Sequence, residues 1–253
     1  MSNQSNEKQA DPTDTAAFAV LAGISTATIS TTLMKNGLRN VWIRGARDMQ
    51  AQGGGRLVGR AFTLRFIPGR EDLSTPESLA SPHSTRGAIE EMPAGCIAVV
   101  DAMGITDVGI VGDILCARMR QRGVTALVSD GAIRDIAGVR RTGLPVWCSG
   151  VAAPPSVAGL AFVGWQQPIG CGGVAVLPGD IIVADEDGAV VIPAAFLETV
   201  LATAPDTEQM ESWVLDQVNA GRRLIGLYPP NQQAADEYAS WQKSQPGNRR
   251  GGE

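Results

Sequence analysis

A chain of 253 residues, 44% hydrophobic and 19% charged, has the balance of a globular protein and is long enough to bury one large core or two small ones. Its net charge of −5, with basic residues in short pairs such as Arg140-Arg141 and Arg222-Arg223 and not in a larger cluster, argues against a nucleic-acid surface. That balance suits a metabolic enzyme.

The first fifteen residues, "MSNQSNEKQADPTDT", are polar and predict a disordered tail over 1–15. The apolar run behind them, "AAFAVLAGI", is too short to cross a membrane and lacks a basic leader, so a cytoplasmic protein is expected. Ile24 to Gly37 predicts a helix, with Ser25 as N-cap, Ile29 and Leu33 on one face, and Gly37 as its stop. Beyond the link "QGGGR", the stretch "LVGRAFTLRFI" predicts a strand pair, and Pro68 to Arg86 a long polar loop.

The centre alternates. "CIAVVDAMG" is a continuous apolar run, the pattern of a strand buried on both faces. A helix ("GDILCARMRQRG"), a strand ("VTALVSDG"), a helix ("IRDIAGVRRTG") and a strand ("LPVWCSG") follow, which implies an α/β fold with a parallel βαβαβ core. "GGVAVLPGDIIVADEDGAVVIP" predicts antiparallel β with a hairpin at Asp187-Gly188. Residues 194–221 read as one or two helices with a break at Pro205. The sequence predicts a single domain over 16–228 and a C-terminal extension over 229–253, part of it packing on a neighbouring subunit and part a loose tail.

Cys96, Cys116, Cys148 and Cys171 form no C-x-x-C pair and predict reduced, buried thiols. His83, the only histidine, lies in the polar loop, where it is a bystander or reaches a site from outside. A Cys/His zinc centre is not expected, and a metal here would be a hard cation on oxygen ligands.

Asp113 stands at the predicted start of the first central helix, and Arg134-Asp135 follow the second buried strand, with twenty residues between Asp113 and Arg134. A helix of about nine residues runs roughly 14 Å outward. A strand of about six covers roughly 20 Å back. All three residues are therefore expected at the C-terminal edge of the parallel strands, where open α/β sheets bind ligands. The turn Gly112-Asp113-Ile114-Leu115 offers backbone N–H groups to a carboxylate, and Arg134 offers its fork of donors to the same anion. Asp135 can hold a divalent cation, and Asp113 can orient water or a substrate hydroxyl. The same residues also read as a helix cap and a solvated ion pair. Asp101 and Asp107 lie near that edge as pocket or turn residues, and Trp42, Trp147 and Trp165 read as packing residues.

At these positions "GDILCARMRQRGVTALVSDGAIRD" resembles the signature of the RraA-like family, which includes 4-hydroxy-4-methyl-2-oxoglutarate aldolases and oxaloacetate decarboxylases. Asp113, Arg134 and Asp135 meet its D-x20-R-D pattern, and the likeness extends from Ile24 to Pro193. The resemblance implies an α/β/β sandwich of the swivelling-domain type, assembled as homotrimers or pairs of trimers with active sites between subunits. It implies a class II aldolase using Mg2+ or Mn2+, with Asp135 as metal ligand and Arg134 binding substrate and stabilising an enolate. It also implies that residues 112–115 seat the pyruvyl carboxylate. An acidic residue from a neighbouring subunit belongs to the family's site, and Glu208 and Glu211 are candidates for it or ordinary solvated helix positions. The loop 68–86 and the chain beyond Pro193 are longer than in compact members, which leaves the substrate open.

The function expected is retro-aldol cleavage of a 4-hydroxy-2-oxo acid to pyruvate, with oxaloacetate decarboxylation through the same enolate. A dehydratase or lyase acting on 2-keto-3-deoxy sugar acids, or a non-catalytic ribonuclease regulator, are the alternatives. The regulator lacks the complete D-x20-R-D set. An older label of the family, menaquinone methyltransferase, finds no glycine-rich cofactor loop here.

Overall fold

The structure, a computed structural model, describes residues 12–49 and 55–245; most of the "QGGGR" link and the outer parts of both predicted tails lie outside the described residues. Order begins earlier than predicted, with helix α1 at Pro12–Leu21. Asp14 there accepts hydrogen bonds from Arg60 Nε (2.6 Å) and Nη2 (2.5 Å), and Leu21 is buried. Composition alone cannot show such a tie to a distant strand. Ser25 caps α2 (Thr26–Lys35) as predicted, its Oγ accepting from the Thr28 N–H at 3.1 Å, with Ile29 and Leu33 buried.

After the short β1 (Arg47–Asp48), residues Leu57–Pro68 form one long strand, β2, where a strand pair was predicted. Beyond Gly59 near its start no turn residue interrupts this run before Pro68, and both faces have a core to enter. Phe62, Leu64 and Phe66 join one cluster and Ala61 the other. The predicted polar loop is also partly helical. Thr75 and Ser84 cap α3 (Pro76–Ala80) and α4 (Thr85–Glu91), and α4 buries Ala88 and Ile89.

The centre runs β3 (Ile97–Asp101), α5 (Asp113–Gln121), β4 (Ala126–Ser129), β5 (Ala132–Ile133), α6 (Ile136–Thr142), β6 (Val146–Cys148) and β7 (Gly150–Val151). Strands β2, β3, β4 and β6 pair in parallel, so the predicted βαβαβ core is present. Burial on both faces is literal in β3: Ala98 and Val100 face the cluster shared with α4, α5 and α6, while Ile97 and Val99 face the second cluster.

Then come β8 (Leu160–Trp165), β9 (Ile169–Cys171), β10 (Val174–Val176), β11 (Ile181–Asp185) and β12 (Gly188–Ile192). The main sheet has eight strands in the order β1-β6-β4-β3-β2-β11-β12, with β8 antiparallel to β2. Its end strands β1 and β12 approach each other, which makes the sheet nearly closed. The β11–β12 hairpin turns at Glu186-Asp187, one residue before the predicted pair, since Asp185 already faces Gly188 across the ladder.

One compact unit ends at Ala202 and a second begins at Thr203, inside helix α7 (Leu197–Asn219), whereas the sequence predicted one domain through residue 228. Helix α7 runs through Pro205 without the predicted break. Helix α8 (Gln232–Ser244), capped by Asn231, occupies much of the predicted extension. Within the second unit Trp213, Val214, Leu227, Ala234 and Tyr238 bury an apolar cluster of their own. Among the described residues no single helix is long and apolar enough to cross a membrane.

Candidate active site

The site is built where β4 stops. Ser129 closes the strand by donating from Oγ to Val100 O at 3.1 Å while accepting from the Gly131 N–H at 2.9 Å. Asp130 is buried and accepts from the N–H groups of Ala102 (2.8 Å), Gly104 (3.1 Å) and Gly172 (3.0 Å). It therefore ties three loops together. Gly131 is required by close approach, since a Cβ there would lie 2.5 Å from that of Ala102.

The chain then stays extended through β5 instead of entering the predicted helix at Ile133. One neighbour is β7, in parallel register, with the Ala152 N–H donating to Ile133 O at 2.9 Å. The other is the segment before α5: the Ile110 N–H donates to Ala132 O (2.9 Å) and the Arg134 N–H to Val111 O (3.0 Å). Arg134 thus leaves a short layer in which residues 109–111, β5 and β7 lie side by side, and its own N–H is fixed to Val111.

Asp135 follows in the left-handed region (φ 54, ψ 38), where aspartate is tolerated better than most side chains. It is the N-cap residue of α6 by position but makes no side-chain capping bond, and its Oδ2 accepts from Arg134 Nε at 3.0 Å. Gly112, the N-cap of α5, permits this placement, because a Cβ there would lie 2.6 Å from Asp135 Oδ2. Asp113 opens α5, its Oδ1 accepting from the Ile114 N–H at 2.8 Å. Its side chain lies over Gly138 of α6.

Asp113, Arg134 and Asp135 line one open cavity of about 670 Å³, with an apolar wall that includes Ile136, Val151 and Ala153. With the side chains of Arg134 and Asp135 37% and 45% exposed, their mutual ion pair is worth no more than about 1 kcal/mol. Such a pair re-partners readily when a ligand arrives. Not every predicted contact is present. The Ile114 amide is already engaged by Asp113, the Ile114 side chain is 80% exposed, and Leu115 packs toward the core. None of Gly112, Ile114 and Leu115 lines the cavity.

The other candidates are elsewhere. Asp101 holds the Met103 and Gly170 N–H groups, Asp107 lies in an exposed turn, and neither lines the cavity. His83 packs its ring 5.9 Å from that of Trp165. Trp147 is buried, donating to Asp185 O, and the exposed Trp42 donates to Asp187 O. Glu208 and Glu211 belong to α7 in the second unit, where Glu211 accepts from the Tyr228 hydroxyl at 3.4 Å. The four cysteines are free and buried, and burial pushes the Cys96 and Cys116 thiols up to about 12. None is a nucleophile at neutral pH. Sequence reasoning missed Arg141, which also lines the cavity. Its signal was present: Arg141 follows Ala137 at helical i,i+4 spacing.

Among the described residues no group of three or more His, Cys, Asp or Glu is arranged to hold a metal. Two carboxylates, Asp113 and Asp135, do line the cavity. Magnesium is commonly held by one or two carboxylates with water and substrate completing its shell, so this donor set fits a hard dication.

Residues 26–191 match the RraA-like family model, described as Aldolase/RraA. A Halalkalibacterium halodurans protein named "Putative 4-hydroxy-4-methyl-2-oxoglutarate aldolase" is 37% identical over 143 residues, covering 54% of this chain and 67% of that protein. A Thermus thermophilus protein of the same name is 32% identical over 142 residues, covering 56% and 78%. Protein DlpA of Legionella pneumophila is 28% identical over 73% of this chain, which spans only 28% of that protein's length. Among solved structures, Streptomyces coelicolor RraAS2, described as an unusual member of the RNase ES inhibitor RraA protein family, is 33% identical. It has a TM-score of 0.71, with 81% of this chain and 97% of that one covered. With the family model spanning residues 26–191 of 253, the chain belongs to the RraA-like family.

Proposed function

We propose that the protein is a divalent-metal-dependent lyase that cleaves 4-hydroxy-2-oxo acids of the 4-hydroxy-4-methyl-2-oxoglutarate type to pyruvate. Oxaloacetate would decarboxylate through the same enolate. The observation that carries this reading is the convergence of Asp113, Arg134 and Asp135 on one cavity. The names of the Halalkalibacterium and Thermus relatives support it.

Asp135 would hold the metal, Mg2+ or Mn2+, with Asp113 beside it. When bound, that ion supplies Lewis-acid polarisation of the C2 carbonyl. Arg134 contributes charge-assisted donors to the substrate's pyruvyl end and positive potential beside the C2 oxygen as negative charge develops there. The first turn of α5 adds the positive end of its dipole near the same carboxylate. Asp113, or an acidic residue from a neighbouring subunit, orients the water that takes the C4 hydroxyl proton. The C3–C4 bond then breaks, its electron pair passes to the enolate, the carbonyl fragment leaves, and protonation at C3 gives pyruvate.

A homotrimer or hexamer with intersubunit sites, in the cytoplasm, belongs to the same proposal, as does the swivelling-domain sandwich. Two exposed apolar side chains support the assembly: Val151, 53% exposed, lines the cavity, and Ile114, 80% exposed, adjoins Asp113. The test is pyruvate release from 4-hydroxy-4-methyl-2-oxoglutarate, oxaloacetate and a 2-keto-3-deoxy sugar acid, with magnesium and with chelator. Metal-dependent pyruvate from the first two is expected, water loss from the third alone would assign a dehydratase, and no turnover of any would overturn the reading. The Streptomyces neighbour's description supports a second reading, a ribonuclease regulator. Inhibition of a ribonuclease by a chain that turns over none of these acids would establish it.

A further inference from the structure

Arg141, in the last turn of α6, is a second guanidinium lining the cavity. Its neighbour Arg140 donates to Met49 O at 3.1 and 3.0 Å, and Arg118 pairs with Glu90. Arg141 differs from both: among the described residues its side chain makes no hydrogen bond or ion pair. The cavity thus presents two carboxylates, Asp113 and Asp135, a guanidinium paired with Asp135, and a second guanidinium whose side chain has no partner among the described residues.

On the lyase reading above, Arg134 takes the pyruvyl end, so a 2-oxo acid with one carboxylate leaves Arg141 without a partner. A diacid supplies one. Arg141 stands one helical turn beyond Ala137, about 6 Å along α6, and both line the cavity. A five-carbon diacid separates its carboxyl carbons by roughly 5–6 Å at ordinary bond lengths. Val151, Ala152 and Ala153, which line the same cavity, offer apolar contact to the carbons between.

We propose that Arg141 recognises the substrate's second carboxylate and makes the cavity selective for 2-oxo diacids over 2-oxo monoacids of equal length. Which end reacts rests on the lyase reading above, but recognition can be measured without turnover. The probes are 2-oxoglutarate and 2-oxopentanoate, which share a five-carbon chain and differ in the distal carboxylate. Calorimetry on the full chain with magnesium should show the wild type binding 2-oxoglutarate more tightly. Arg141→Gln should cut that preference by about tenfold or more, the scale of one charged hydrogen bond, and Arg141→Lys should restore part of it. A wild type without preference, or an Arg141→Gln chain that keeps it, overturns the proposal. In parallel, the ratio of pyruvate released from 4-hydroxy-4-methyl-2-oxoglutarate to that from 4-hydroxy-2-oxopentanoate should fall by a similar factor in Arg141→Gln. Failure of the wild type to release pyruvate from either would sink the lyase reading while leaving the calorimetric result to decide the role of Arg141.

Discussion

The side chain of Asp113 lies directly over Gly138: a Cβ added to the glycine would stand 2.7 Å from the Asp113 Cβ. Helices α5 and α6 can therefore meet at the cavity only while residue 138 has no side chain. Gly138→Ala should displace the carboxylate. The helix itself gains about 1 kcal/mol from alanine, set against an overpacking cost of about 1–3 kcal/mol, so the fold should survive. Pyruvate release should fall by about 100-fold, the scale of a 1 Å misplacement. A melting temperature near that of wild type with unchanged turnover would show that the position of Asp113 does not matter to the chemistry.

Asp135 offers a cleaner substitution than its neighbours allow. It sits at φ 54, a conformation that asparagine also adopts without difficulty, whereas alanine there costs about 1–2 kcal/mol. Asp135→Asn should keep the stability of the wild type and lose metal affinity together with activity. Arg134→Ala, at a half-exposed position, should leave unfolding within about 0.5 kcal/mol of wild type and lower turnover by about 100- to 1,000-fold, as for a lost oxyanion donor. Near-normal turnover in both variants would remove them from the machinery.

The parallel core was legible because β3 and β4 are continuous apolar runs that only a doubly covered strand can use. The site was legible because a helix and a strand of known rise must return Arg134 to the edge that Asp113 occupies. The layer 109–111, 132–133 and 150–151 was not. Its segments are two or three residues long and lie far apart in sequence, so no periodicity signals them. Helix α1 is tied down by the Asp14–Arg60 pair and by burial of Ala17 and Leu21, long-range contacts that composition cannot reveal. Within "SDGAIRDIAG" the charges divide by burial: Asp130 organises loops, while Arg134 and Asp135 face the cavity.

The cysteines give a check on the compactness of the core. All four are buried, and burial holds the Cys96 and Cys116 thiols near 12. Thiolate is the reacting form. At about pH 8 the native chain should resist iodoacetamide at all four positions, and the denatured chain should be alkylated at all four. Mass spectrometry of the two reactions reads this directly, and rapid labelling of any native cysteine would mean that its surroundings open.

Asp130 makes stability depend on pH in an unusual direction for an aspartate. Burial pushes its carboxyl above the ordinary range, and the nearby Asp101 adds to this, against three N–H donors that favour the charged form. In the window between its unfolded and folded values the native chain holds a proton that the unfolded chain has released. Its contribution is therefore fully present below the unfolded value and declines as pH rises through the folded one. Asp130→Asn, uncharged throughout, lacks this slope, and its amide cannot accept from all three donors, at a cost of about 1–3 kcal/mol for each one left unpaired. Urea unfolding from about pH 4 to about pH 7 should thus show the wild type's advantage over Asp130→Asn shrinking as the pH rises. An advantage that grew with pH would mean that the Ala102, Gly104 and Gly172 amides outweigh burial and hold the carboxylate charged.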